Sequence, residues 1–64
     1  MLVLTRNENE SWLACALRYA KPYGMEQEVK DHYDKFIANG STEADAAFDA
    51  CYEEDLLDYR EGDK

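Results

Sequence analysis

Apolar positions along the chain fall into a short run at the start and three longer blocks, separated by polar or turn-forming residues. The densest block is Trp12-Leu13-Ala14-Cys15-Ala16-Leu17-Arg18-Tyr19-Ala20, with one charged residue in nine. On a helix advancing about 100° per residue, Leu17, Ala20 and Ala16 cluster around Leu13. Tyr19, Trp12 and Cys15 widen that region, leaving only Ala14, Arg18, Lys21 and Ser11 outside it. The apolar arc is roughly twice the stripe of about 100° on an ordinary surface helix. It predicts a central helix over about 9–21, touched on two sides. Asn7 or Asn9 is the expected cap, with Glu10 three residues after Asn7 as in a capping box. Pro22 ends the helix, and Lys21-Pro22-Tyr23-Gly24 reads as a tight turn.

The second block predicts a helix over 25–38. Met25, Val29, His32, Tyr33, Phe36 and Ile37 share a face. Glu26 and Lys30, and Asp31 and Lys35, stand four apart in the favourable order. Asn39-Gly40 is a stop signal, and Ser41 or Thr42 caps a third helix. Its expected apolar face is Ala44, Ala47, Phe48, Cys51, Tyr52 and Tyr59. The pattern strains after Glu53. On a continued helix Asp55 lands beside Phe48 and Leu57 lands towards solvent. The helix therefore either ends near Glu54 with a turn over 55–59, or continues to 59 with a mixed surface. Residues 60–64 read as a frayed tail.

Met1-Leu2-Val3-Leu4-Thr5 is apolar and partly β-branched. No other β-like run is apparent, so residues 1–8 are expected to form an extended arm, or a strand pairing with another chain. The expected fold is all-α: a small three-helix bundle with helices over 9–21, 25–38 and 41–54/59. The last two form an αα-hairpin, and the whole is a single domain.

Sixty-four residues make a marginal core. Eight aromatics and 45% hydrophobic residues nevertheless argue for a folded chain. No apolar run approaches the roughly 18 residues of a membrane span, and Met1–Leu4 is too short for a signal-peptide core. The expected location is the cytoplasm. The net charge of −8 is unevenly spread. Residues 1–40 hold six acids against five bases, whereas residues 41–64 hold nine acids against two. That field repels nucleic acid and anionic membranes and attracts basic proteins.

Cys15 and Cys51 are 36 positions apart and form no CxxC pair. They read as buried free thiols, as a disulfide between the first and third helices, or as zinc ligands with His32. His32, the single histidine, lacks a nucleophile in a recognisable setting. There is no glycine-rich phosphate loop and no calcium-loop spacing. The expectation is a protein that is not an enzyme and needs no cofactor or metal.

Two surfaces remain as candidates. Asp45, Asp49, Glu53, Glu54 and Asp58 form an acidic set for docking a basic partner, or for imitating phosphates at a nucleic-acid site. Trp12, Tyr19, Tyr23, Leu57 and Tyr59 form an apolar set for a partner or for a homodimer, since Trp and Tyr dominate interface hot spots. The run from Glu10 to Gly24, and the Asn39-Gly40-Ser41 turn leading to Cys51-Tyr52-Glu53-Glu54-Asp55, resemble small proteins of tailed bacteriophages and prophages. That resemblance implies an accessory protein acting on a host protein inside the bacterium. Separately, Met1 to Arg6 is similar to the first strand of the carbon storage regulator family. The likeness stops after Arg6, where those proteins continue as strands, and neither their fold nor their RNA binding is carried over.

Overall fold

The computed structural model describes residues 1–61 and contains three helices and a short two-stranded sheet. In chain order these are β1 (Leu2–Val3), α1 (Trp12–Ala20), α2 (Glu26–Ala38), α3 (Glu43–Glu53) and β2 (Asp58–Tyr59). A 3₁₀ turn, Lys21–Tyr23, follows α1 directly. Each helix packs on the other two.

The core is built from small side chains. Ala16, Ala20, Ala46, Ala47 and Ala50 are fully buried, and the largest fully buried side chains are Val29, Cys15 and Cys51. The buried positions of α1 and α3 are all alanine or cysteine, while α2 contributes the larger Val29 and Tyr33. Tyr33 and Leu56 close the core, and Trp12, Leu13, Leu17, Met25 and Phe36 pack around it.

All three helical segments end in the same way. Met25 N–H donates to Ala20 O at 3.2 Å, Ser41 N–H to Phe36 O at 3.0 Å and Leu56 N–H to Cys51 O at 2.9 Å. Each bond brackets a residue with positive φ: Gly24 at 66°, Gly40 at 100° and Asp55 at 59°. This is the Schellman arrangement, which satisfies the last carbonyls and turns the chain sharply. Two of the three sites use glycine. The third uses Asp55, one of the few side chains that tolerates the left-handed region.

That third turn decides between the two readings of residues 53–59. The helix ends at Glu53, Leu56 drops into the core and residues 58–59 run back as β2. β2 pairs antiparallel with β1, Leu2 opposite Tyr59 and Val3 opposite Asp58. The expected free arm is therefore a strand with a partner inside its own chain. Asp58–Tyr59 carries no β-like pattern because its pairing is made by the backbone. Arg60 N–H donates to Met1 O at 2.8 Å and the Met1 ammonium donates to Arg60 O at 3.0 Å. Arg60 is thus not part of a frayed tail; Glu61 follows it outside any helix or strand, and residues 62–64 of that expected tail lie outside the described residues.

Two further expectations are corrected. Ser11 caps α1, its Oγ accepting from Ala14 N–H at 3.0 Å. Neither asparagine does so. Asn7 and Glu10 instead close a separate turn, with Asn9 at φ 67°. Thr42, as expected, caps α3. The buried face of α3 is rotated from the expected one: Ala46, Ala47, Ala50 and Cys51 point inward, whereas Tyr52 and Tyr59 are exposed. Packing through alanines selects the smallest side chains over the largest.

Glu10 and Arg18 bolt the N-terminal segment to α1. Arg18 Nε donates to Glu10 Oε2 at 2.8 Å, and Arg18 Nη2 donates to Glu10 Oε1 at 3.1 Å and Thr5 O at 2.7 Å. The Arg18 guanidinium, followed by the Asn7 N–H, holds the Glu10 carboxyl below its ordinary value of 4.5. A depressed folded-state value contributes stability that is present above the ordinary value and lost as pH falls through the folded one. Glu10→Gln is therefore expected to flatten the decline of melting temperature below about pH 4.5, as read by calorimetry from pH 7 to 3.

Candidate functional site

The acidic set does not form one face. Asp45, Asp49 and Glu53 stand four residues apart on α3 and make a stripe. Among the described residues none of the three has an ion-pair partner. Asp45 and Glu53 are exposed and Asp49 is half-buried. Tyr52, 56% exposed, lies next to the stripe. Glu54 is turned inward, where its Oε2 lies 2.9 Å from His32 Nε2. That pair ties the end of α3 to the middle of α2, and the His32 ring stacks on Phe36 with centroids 6.5 Å apart. Asp58 sits on β2 and accepts a 2.8 Å bond from the Tyr19 hydroxyl.

The apolar set is also divided. Trp12 is half-buried beneath the Arg6 guanidinium, 5.0 Å from its ring centroid. Leu57 packs against the core. Tyr59 projects from the sheet, 72% exposed. Tyr19 lies half-buried on α1 and joins three parts of the chain: its hydroxyl accepts from Thr5 N–H at 2.9 Å and donates to Asp58. Tyr23, on the 3₁₀ turn, is 69% exposed.

The fold therefore brings together one member of the acidic set and two of the apolar set. Tyr19, Tyr23 and Asp58 line a cleft of about 260 Å³ with Arg18, Pro22 and Leu56. Arg18 and Pro22 are sequence neighbours of the two tyrosines, which is the one signal that could have placed them. Leu56 carries no such signal, since its position depends on the turn at Asp55. The Arg18 guanidinium lies 5.2 Å from the Tyr19 ring centroid, and its charge is met by Glu10. No described cation meets Asp58. The cleft is smaller than the roughly 300–1,000 Å³ of small-molecule sites, so it suits a single side chain rather than a whole cofactor.

The remaining chemical candidates are placed structurally. Both cysteines are free and buried. Cys15 Sγ donates to Thr5 O at 3.4 Å and Cys51 Sγ to Ala16 O at 3.7 Å. Burial pushes both thiols up, Cys51 to about 11, which disfavours the nucleophilic thiolate. Among the described residues no cluster of His, Cys, Asp and Glu is arranged to hold a metal ion, and no helix is long and apolar enough to cross a membrane. A scan against protein-family models, a search of curated proteins and a search of solved structures each find no match to this chain.

Proposed function

We propose that this chain is a non-enzymatic protein-binding module, a small helical bundle that docks on a basic surface of a partner. On this reading it is a phage accessory protein that modulates a host protein in the bacterial cytoplasm. The observation carrying the proposal is the α3 stripe: three carboxylates without a described ion-pair partner, beside an exposed tyrosine. Stability accounts for Asp45, an acid in the first turn of α3, but not for Glu53, which stands in the last turn and opposes the helix dipole. Complementary charge steers association and selects among partners. The buried thiols and the histidine held by Glu54 are consistent with binding rather than catalysis.

The test is capture from nuclease-treated bacterial lysate at low and high salt, comparing the native chain with an Asp45→Lys, Asp49→Lys, Glu53→Lys variant. Native protein is expected to retain a basic protein at low salt, and the variant to lose it while keeping the native circular dichroism spectrum. Retention of the same protein by the variant overturns the reading. Glu54 and Asp58 are left intact, since both hold the fold. A second reading, a homodimer, is favoured by the exposed Met1, Leu2 and Tyr59 at the sheet. It replaces the first if the captured protein is further copies of this chain.

A further inference from the structure

The cleft beside α1 has a chemistry of its own. Its lining combines two aromatic side chains, Tyr19 and Tyr23, with the Asp58 carboxylate. The Tyr19 hydroxyl orients that carboxylate by donating to Oδ2 at 2.8 Å. Oδ1 makes no bond to any described residue, and each carboxylate oxygen accepts more than one hydrogen bond. The one cation that lines the cleft among the described residues, Arg18, is neutralised by two bonds to Glu10 and makes one more to Thr5 O. Counting Glu10 with Arg18, the cleft carries the single negative charge of Asp58, in a chain of net charge −8. Tyr23 lines the cleft and is 69% exposed, so its ring is accessible to an incoming group.

We infer that this cleft receives an arginine side chain of the partner protein, its guanidinium paired with Asp58 and laid against Tyr23. The inference rests on the protein-binding reading above and adds to it a second contact, separate from the α3 stripe. Charge complementarity selects a cation. The choice of arginine follows from shape. A guanidinium is planar, stacks on aromatic faces and presents a fork of donors to a carboxylate, whereas an ammonium is a compact, strongly hydrated point. The molecule already shows the same grouping once, where Arg18 lies over Tyr19 and pairs with Glu10.

The probe is N-acetyl-arginine amide, titrated into the native chain while the ring resonances of Tyr19 and Tyr23 are followed by NMR. N-acetyl-citrulline amide, its uncharged isostere, is titrated in parallel. Saturable shifts with millimolar affinity are expected for arginine alone, since an exposed pair and one stacking contact contribute modestly. Asp58→Asn keeps the acceptor for Tyr19 and is expected to weaken binding by about two- to fivefold. Tyr23→Ala, at an exposed position that the core does not use, is expected to weaken it similarly and serves if Asp58→Asn perturbs the fold. Equal shifts with citrulline, no saturable shift, or unchanged affinity in Tyr23→Ala overturns the inference. The stripe variant separates the two proposals. Arginine binding that survives Asp45→Lys, Asp49→Lys, Glu53→Lys while the native chain itself captures no lysate partner sustains the cleft and defeats the partner reading. Capture that depends on the stripe without any arginine binding does the reverse.

Discussion

Ala50→Leu is expected to cost this chain about a third or more of its stability. Ala50 is fully buried on α3 between Ala47 and Cys51, where the helices meet through small side chains. Leucine has nearly the helix propensity of alanine, so the effect comes from packing alone. Overpacking a well-filled core costs about 1–3 kcal/mol, occasionally more. Here the added atoms must force helices apart, so the upper part of that range applies. A chain of this length has about 3–10 kcal/mol in total. The measurement is chemical denaturation followed by circular dichroism, with Ala38→Leu as the control. Ala38 is exposed on α2, and its replacement is expected to change stability by less than about 0.5 kcal/mol. An Ala50→Leu protein as stable as the native one would mean that the helices do not meet as closely as the buried alanines require.

Tyr19→Phe is expected to open the sheet while leaving the helices folded. The substitution removes one oxygen and with it two bonds, from Thr5 N–H and to Asp58. These link the N-terminal segment, α1 and β2 through a single hydroxyl. Losing a hydrogen bond to a charged group costs about 1.5–3 kcal/mol, and the exposed setting of Asp58 and Thr5 brings the expectation to about 1–2 kcal/mol. In a domain of this size each kcal/mol lowers the melting temperature by about 4–8 °C. Hydrogen exchange gives the sharper readout. The Arg60 amide, bonded to Met1 O, should lose protection well before amides inside α2. Uniform loss of protection across sheet and helices would show that the sheet is not a separate unit.

The three helices were legible in the sequence because their signals are local. Pro22-Tyr23-Gly24, Asn39-Gly40 and Thr42 with two acids behind it each mark a boundary by the conformation they demand. Val29 and Tyr33 follow from spacing alone. The end of α3 resisted the same reasoning because its stop residue is Asp55 rather than glycine, so a Schellman turn with aspartate in the left-handed position read as a flaw in an amphipathic pattern. The sheet was hidden for a different reason. β2 is two residues long, polar and exposed, and its register comes from backbone bonds that leave no trace in side-chain order. The candidate site was legible as residues and not as a place. Tyr19, Tyr23 and Asp58 were each singled out, but only the return of the chain through Leu56 puts an acid 39 positions away on the hydroxyl of Tyr19. Arg18 was read as the polar side of a helix, whereas it is the clamp on which Thr5 and Glu10 close.

The pairing of Met1 with Arg60 gives the molecule a mechanical weak point in a definite location. Both ends enter the ladder from the same side, so a pull applied to them peels the strands one bond at a time instead of shearing all of them together. The first element to yield carries Asp58, and its departure takes the carboxylate off Tyr19 while the three helices still hold one another. Tension on the ends would thus dismantle the arginine cleft before it unfolded the protein. A partner gripping that cleft would, in turn, act as a clasp on the strands and raise the force at which they part.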